Sequence, residues 1–227
     1  MKSTILVLLI FLAFSYSASS QNSSTPQNDY YLGFRLAPKI STLGGGIEIA
    51  KAFTPNFGVR GGLNYFSFNY DTNEDDAKYD LDLELKSIGF FGDWHPFKGS
   101  FRLSGGILIN GNQFKSKAKP TAPFQINGTS YNLDAVDLEI SYNAVAPYFG
   151  IGWDTTFGNH DNWGFCFDLG VIYSGAATAS LSALGAPTVI TNPTFLANLE
   201  SEKASLQDDL NDLEWWPVLS AGLVYQF

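Results

Sequence analysis

The stretch that most restricts this chain is its last one, residues 215–227, which reads WWPVLSAGLVYQF. Taken in twos from the end, Phe227, Tyr225, Leu223, Ala221 and Leu219 share one side, and Gln226, Val224, Gly222 and Ser220 the other. An amphipathic strand with a fully apolar face at a chain end would fray into water in a soluble domain, whereas lipid accommodates every one of its side chains. Aromatic residues at both ends, Trp215 and Trp216 against Tyr225 and Phe227, suit the two headgroup layers. The span also matches the roughly 9–11 residues that a tilted strand needs to cross hydrocarbon. It is expected to be the closing strand of a transmembrane β-barrel, with the last strand of a soluble β-sandwich as the alternative.

The start of the chain points the same way. Lys2, an apolar core at residues 5–14 and the small residues Ala18, Ser19 and Ser20 make a secretory signal peptide over residues 1–20. No cysteine follows the core, which argues against a lipoprotein anchor. Loss of Lys2 with the signal moves the formal net charge from −9 to −10, and an acidic chain is a poor partner for nucleic acid. Cys166 is the sole cysteine, so neither an internal disulfide nor a cysteine-based zinc site is available. Beyond the signal no apolar run is long enough for a spanning helix, and insertion must use strands.

Alternation recurs along the rest. Residues 21–29 form a polar, flexible lead, and residues 30–227 the barrel. Strands are expected at 30–38, 43–53, 57–70, 81–94, 101–114, 138–153, 163–173 and 215–227. The cleanest is 163–173, where Trp163, Phe165, Phe167, Leu169, Val171 and Tyr173 face away from Gly164, Cys166, Asp168, Gly170 and Ile172. In the fourth strand Leu81, Leu83 and Leu85 oppose Asp82, Glu84 and Lys86, but Ile88, Phe90, Phe91 and Trp94 do not share a parity. Pro147 inside the sixth suggests a bulge or a locally unpaired edge. Residues 71–79, 115–137 and 174–214 are expected to be large loops. Asn192-Pro193, with Leu196, Leu199, Leu206, Leu210 and Leu213 at helical spacing, predicts a short helix in the last of them.

The fold class is therefore all-β, an eight-stranded antiparallel barrel with short periplasmic turns, long outer loops and both termini in the periplasm of a Gram-negative cell. Partners follow from that placement. They are outer-membrane lipid and lipopolysaccharide, and the barrel-assembly machinery through the C-terminal strand.

Catalysis is argued against, because His95 and His160 are the only imidazoles and both fall in short periplasmic turns. No cofactor is implied, and nothing with metal-ligand spacing surrounds either histidine. The charges within strands carry more information. Arg35, Glu48, Arg60, Glu84, Arg102 and Asp168 oppose the apolar faces and are expected to line the lumen, either as a closed network of ion pairs or as a selective polar constriction. Outside, Glu74, Asp75 and Asp76 in one loop and Asp208, Asp209 and Asp212 in another set up a negative field, which attracts small cations, bridges lipopolysaccharide through divalent ions, or serves solubility.

Ser141-Tyr142-Asn143, Ala146-Pro147-Tyr148-Phe149-Gly150, Asn162-Trp163-Gly164 and residues 169–175, LGVIYSG, together with an acidic helical stretch leading into Glu214-Trp215-Trp216-Pro217-Val218, resemble the CarO family of small outer-membrane porins. Residues 126–131, INGTSY, are similar to that family's glycine-containing loop. The resemblance covers the C-terminal half, with the N-terminal half alike in architecture. It implies an eight-stranded barrel associated with uptake of basic amino acids such as ornithine and with carbapenem susceptibility. The two functional expectations are thus a small porin-like protein that admits or binds small cationic solutes, and a non-conducting surface barrel acting in adhesion, envelope integrity or partner binding through its outer loops.

Overall fold

The structure is a computed structural model, and it describes residues 32–74 and 77–227. The expected signal peptide and flexible lead, with Tyr30, Tyr31, Asp75 and Asp76, lie outside the described residues.

Eight strands close into an antiparallel barrel. They are β1 (Phe34–Ser41), β2 (Gly44–Ala52), β3 (Phe57–Glu74), β4 (Ala77–Trp94), β5 (Phe101–Asn110), β10 (Val145–Asp154), β11 (Trp163–Tyr173) and β13 (Trp215–Gln226). Each pairs with the next, β5 with β10 and β11 with β13, and β13 returns to β1. All eight predicted strands are present. Closure leaves no edge within this ring, which is the condition for strands to cross hydrocarbon. β1 runs three residues past its expected end, to Ser41. Pro38 pairs with Ile47 on the β2 side but interrupts the ladder to β13, which skips from Leu36↔Tyr225 to Lys39↔Gly222. A proline removes one donor, and here the strand continues through it on its other edge.

Outward residues form an apolar belt. On β11 the six residues from Trp163 to Tyr173 that face away from the lumen are all exposed, at 38% or more. Ten steps of about 3.3 Å, tilted by about 40°, span roughly 25 Å, the height of a barrel's hydrocarbon band. Aromatic pairs mark both rims, Trp163 with Tyr225 at 4.8 Å between centroids and Tyr173 with Trp215 at 4.9 Å. A belt this wide and apolar fits lipid and not water.

At one end the turns are short. At the other the strands run on into a second, open sheet. β3 and β4 are continuous through both regions, while β6 (Gln113–Pro120) extends β5, β9 (Ala135–Ser141) precedes β10, and β12 (Thr178–Leu184) extends β11. Their order is β3-β4-β6-β9-β12. A hairpin, β7 (Phe124–Ile126) and β8 (Thr129–Tyr131), and the helices α1 (Pro187–Ile190) and α2 (Pro193–Leu210) complete this extension. Residues 115–137, expected as a loop, are thus largely strand and hairpin. Their alternation is lysine against small residues, and it is held by non-local pairing: Lys115, Lys117 and Lys119 lie opposite Asp82, Asp80 and Lys78 on one side, and Lys115 and Lys117 opposite Glu139 and Asp137 on the other. In β10, Pro147 lies opposite Ile107, but the ladder to β11 begins only at Tyr148, so the unpaired edge expected there is present.

The predicted helix is present. Asn192 caps it, its Oδ1 accepting from the Thr194 amide at 2.8 Å, and Pro193 occupies the first turn. Its seam differs from the leucine spacing. Phe195, at 1% exposure, is the anchor, packed with Ile126, Leu133 and Val136, while Leu196 and Leu213 face solvent. Burial of one such ring contributes about 1.5–3 kcal/mol, enough to fix the helix on the sheet.

Candidate functional site

Four cations and four carboxylates meet inside the barrel: Arg35, Lys39, Arg60 and Arg102 with Glu48, Asp93, Asp154 and Asp168. None of these side chains is more than 9% exposed. Arg60 donates through Nε to Asp93 at 2.7 Å and through Nη1 to Glu48 at 2.8 Å. Arg102 donates to Asp168 at 2.7 Å, Lys39 bridges Asp168 at 2.5 Å and Glu48 at 3.2 Å, and Arg35 donates to Asp154 at 2.6 Å. Ser104 and Ser220 donate to Asp93 and Asp168. The set is formally neutral. Buried charge is tolerable only in such paired form, and removing one partner leaves several kcal/mol of unpaired charge. Gly152 makes room for it, since a Cβ there would meet Asp168 Oδ1 at 2.5 Å and Arg102 Nε at 2.9 Å.

The strands explain this convergence. β1, β2, β3, β4, β5, β10 and β11 each contribute at least one member from the residues that alternate with the lipid-facing set. Of the six residues expected in the lumen, Arg35, Glu48, Arg60, Arg102 and Asp168 are there. Glu84 is not. It lies on the outward face of the extension, its side chain 32% exposed and 3.1 Å from Lys86. The reason is that β4 inverts its polarity without changing register. Asp93, Ser87 and Leu85 all point inward, but above Leu85 the strand has left the belt and buries its inner face under the extension's own core. Leu81 and Leu83 are therefore the inner set there, and Glu84 the outer. Three members were missed: Lys39 through the early end given to β1, Asp93 through the unresolved parity of β4, and Asp154 because it was placed in a turn. Each shares parity with an inward-facing residue of its own strand, Lys39 with Arg35, Asp93 with Ser87, and Asp154 with Gly152, and that was the available signal.

On the side toward the extension the network is roofed by an apolar layer, Leu43, Leu108, Ala146, Tyr148, Ile172 and Val218, with Phe91 and Trp216 against it. Between network and roof lies a cavity of about 40 Å³, lined by Lys39, Glu48, Arg60, Asp168, Ser41 and Ser220, room for a few waters at most. On the short-turn side Phe157, at 2% exposure, closes the barrel. Its ring lies between the Arg35 guanidinium at 5.0 Å and the His95 ring at 3.3 Å. His95 Nδ1 lies 2.8 Å from the Gly99 carbonyl oxygen, an arrangement in which the neutral ring donates. Burial pushes this imidazole down to about 4, more than the Gly99 contact raises it.

The extension carries its charge on the outside. Asp80 and Asp82, Lys115 and Lys117, and Asp137 and Glu139 form three cross-strand columns, acid, base, acid, on a trough of about 420 Å³ that Asn69, Asp71, Ser180 and Ser182 also line. Lys117 pairs with Asp137 at 3.3 Å and Lys119 with Asp80 at 2.9 Å, and that Asp80 contact raises the Lys119 ammonium above its ordinary value. Of the acids expected outside, Asp208 and Asp209 are exposed on the last turn of α2 and Asp212 just beyond it, while Glu74 ends β3. Among the described residues no group of three or more histidine, cysteine, aspartate or glutamate side chains is arranged to hold a metal ion.

No protein-family model matches the chain, and no curated protein sequence matches it. Two solved structures share its architecture. CarO of Acinetobacter baumannii is 22% identical with a TM-score of 0.55, over 86% of this chain and 97% of that one. CarO2 of the same organism is 20% identical with a TM-score of 0.57, over 86% and 99%. At this level of identity the likeness is one of fold: the closed barrel described above is similar to the barrels of CarO and CarO2 along nearly their whole length.

Proposed function

We propose that this protein is an outer-membrane barrel that does not conduct, and that it works by binding cationic partners or solutes on the extension at its long-loop end. The carrying observation is the neutral network of eight buried charges, stacked between the apolar layer under Tyr148 and the Phe157 closure. An ion crossing it would have to enter a space of about 40 Å³ and compete for carboxylates that already hold a guanidinium or ammonium. The short-turn end with both termini is taken as periplasmic and the extension as external, in keeping with the loop asymmetry of outer-membrane barrels. The acid columns of the extension then stand just above the lipid headgroups, where their field attracts cations. The reading needs no catalytic step, and His95, stacked on Phe157 and tied to Gly99, has no substrate-facing position. The apolar face that ends in Tyr225 and Phe227 is the surface offered to the barrel-assembly machinery.

A second reading, uptake of small cationic solutes, is favoured by the same acid-lined trough, and it requires the network to rearrange. Osmotic swelling of proteoliposomes separates the two. The closed reading expects swelling in ornithine, arginine and glutamate salts to equal that of protein-free liposomes. Swelling selective for the two cationic amino acids would overturn it in favour of uptake.

A further inference from the structure

β3 outlasts its neighbour. The pairing of β2 with β3 reaches only Tyr65, opposite Gly45, whereas β3 continues to Glu74 against β4 alone. Residues 66–74, FSFNYDTNE, are therefore an edge strand standing clear of the belt, without proline, lysine or a bulge to blunt it. Among the described residues, no hydrogen bond is made on its far side. A free edge of this length is a template for another strand, and both of its faces specify which one.

The inner face is aromatic. Phe66, Phe68 and Tyr70 are 42%, 53% and 51% exposed, because the cover provided by α2 and the β7–β8 hairpin lies over β6, β9 and β12 and stops short of β3. The outer face is acidic and unbalanced. Across the sheet the columns alternate, acid on β9, lysine on β6, acid on β4, and then the alternation fails. Asp71 lies directly opposite Asp80, and Asn69 opposite Asp82. Asp80 has Lys119, but Asp71 is in no ion pair among the described residues. Like charges placed opposite each other cost stability, and a cation on the vacant side of β3 relieves that cost.

Resting on the reading that the extension is the external working surface, we propose that residues 66–74 accept an extended segment of a partner polypeptide that alternates basic with apolar side chains. Its backbone would pair with the free edge, its basic side chains would extend the charge alternation beside Asp71, and its apolar ones would cover Phe66, Phe68 and Tyr70.

The test uses the full protein refolded in uncharged detergent micelles, with a fluorescent, end-capped peptide of alternating lysine and valine as the probe, read by anisotropy. Binding is expected to be saturable, and the glutamate–valine peptide and a fully backbone-N-methylated lysine–valine peptide are expected to bind at least about tenfold more weakly. Asp71→Lys and Phe68→Ser each weaken binding about fivefold or more, with the heat-dependent gel mobility of the folded barrel retained, while Thr178→Lys, on the opposite edge and away from the trough, leaves it unchanged. Hydrogen exchange slows within residues 66–74 when the peptide is present. Equal binding of the N-methylated peptide, no slowing in that segment, or no binding at millimolar peptide overturns the proposal. So does a concentration-dependent doubling of mass without peptide that Phe68→Ser abolishes, since the edge then belongs to a second copy. Proteoliposome swelling is independent of all these readings, so a conducting barrel with a silent edge and a closed barrel with a silent edge are told apart.

Discussion

The barrel and the extension are built from the same strands with opposite polarity. In the barrel, β4 shows Ile88, Phe90 and Trp94 outward and keeps Asp93 and Ser87 inside. Eight residues earlier in the same strand, Asp80 and Asp82 face out, while Leu85 is buried inside and Leu81 and Leu83 share its face. The register does not change between them, as β3 and β4 pair without a break from Phe57↔Trp94 to Glu74↔Ala77. What changes is the solvent. Within the belt the outside is hydrocarbon and polar side chains retreat to the lumen, where they must pair. Above it the outside is water, and the apolar face turns to the core under Phe195. The same ion pair should accordingly have very different weight in the two regions.

Asp168→Asn is the strongest way to break the comparison. It takes one carboxylate from Lys39 and Arg102 and leaves the lumen with an unmatched positive charge, for an expected loss of about 3–5 kcal/mol, seen as a lower urea midpoint in lipid vesicles. Phe195→Ala tests the other core. It should remove about 3 kcal/mol or more from the extension, read as faster hydrogen exchange in β6, β9 and β12 with barrel protection unchanged. The His95 imidazole, held down to about 4, contributes through its neutral form. Its stabilisation is complete above the unfolded value of about 6.5 and is lost as pH falls toward 4, up to about 3 kcal/mol. The stability difference between wild type and His95→Gln, followed against pH by urea unfolding, should carry that slope, and a flat difference would contradict it. Lys117→Ala gives the smallest change, within about 0.5 kcal/mol in the same unfolding measurement, because Lys117 and Asp137 are about two-fifths exposed and screened by water.

Much of this was legible in the chain. Strands whose two environments are constant along their length, such as β11 and β13, show an unbroken alternation and could be read residue by residue. β4 crosses from water into lipid, so its two halves follow the same geometry with opposite chemistry, and a single parity rule put Glu84 on the wrong side. β6 carries no apolar stripe strong enough to read alone, whereas the Val136, Leu138 and Ile140 stripe of β9 is read only from residue 138. Lys115 and Lys117 become strand residues because Asp80, Asp82, Asp137 and Glu139 lie across from them, which is tertiary information. Five of the eight lumen charges were found by parity. The remaining three, Lys39, Asp93 and Asp154, sit close to strand ends, where a proline, a change of face or a following turn obscured the period.

Single-channel recording in planar bilayers addresses the central claim, that the lumen is shut and the extension is the working surface. The refolded wild type should give no steps in potassium, ornithine or arginine chloride, while Arg60→Ala with Asp168→Ala, which empties the middle of the network, should admit current. Reproducible cation-selective steps from the wild type, reduced when Asp168 alone is neutralised, would contradict the closed lumen and make the network a selectivity filter.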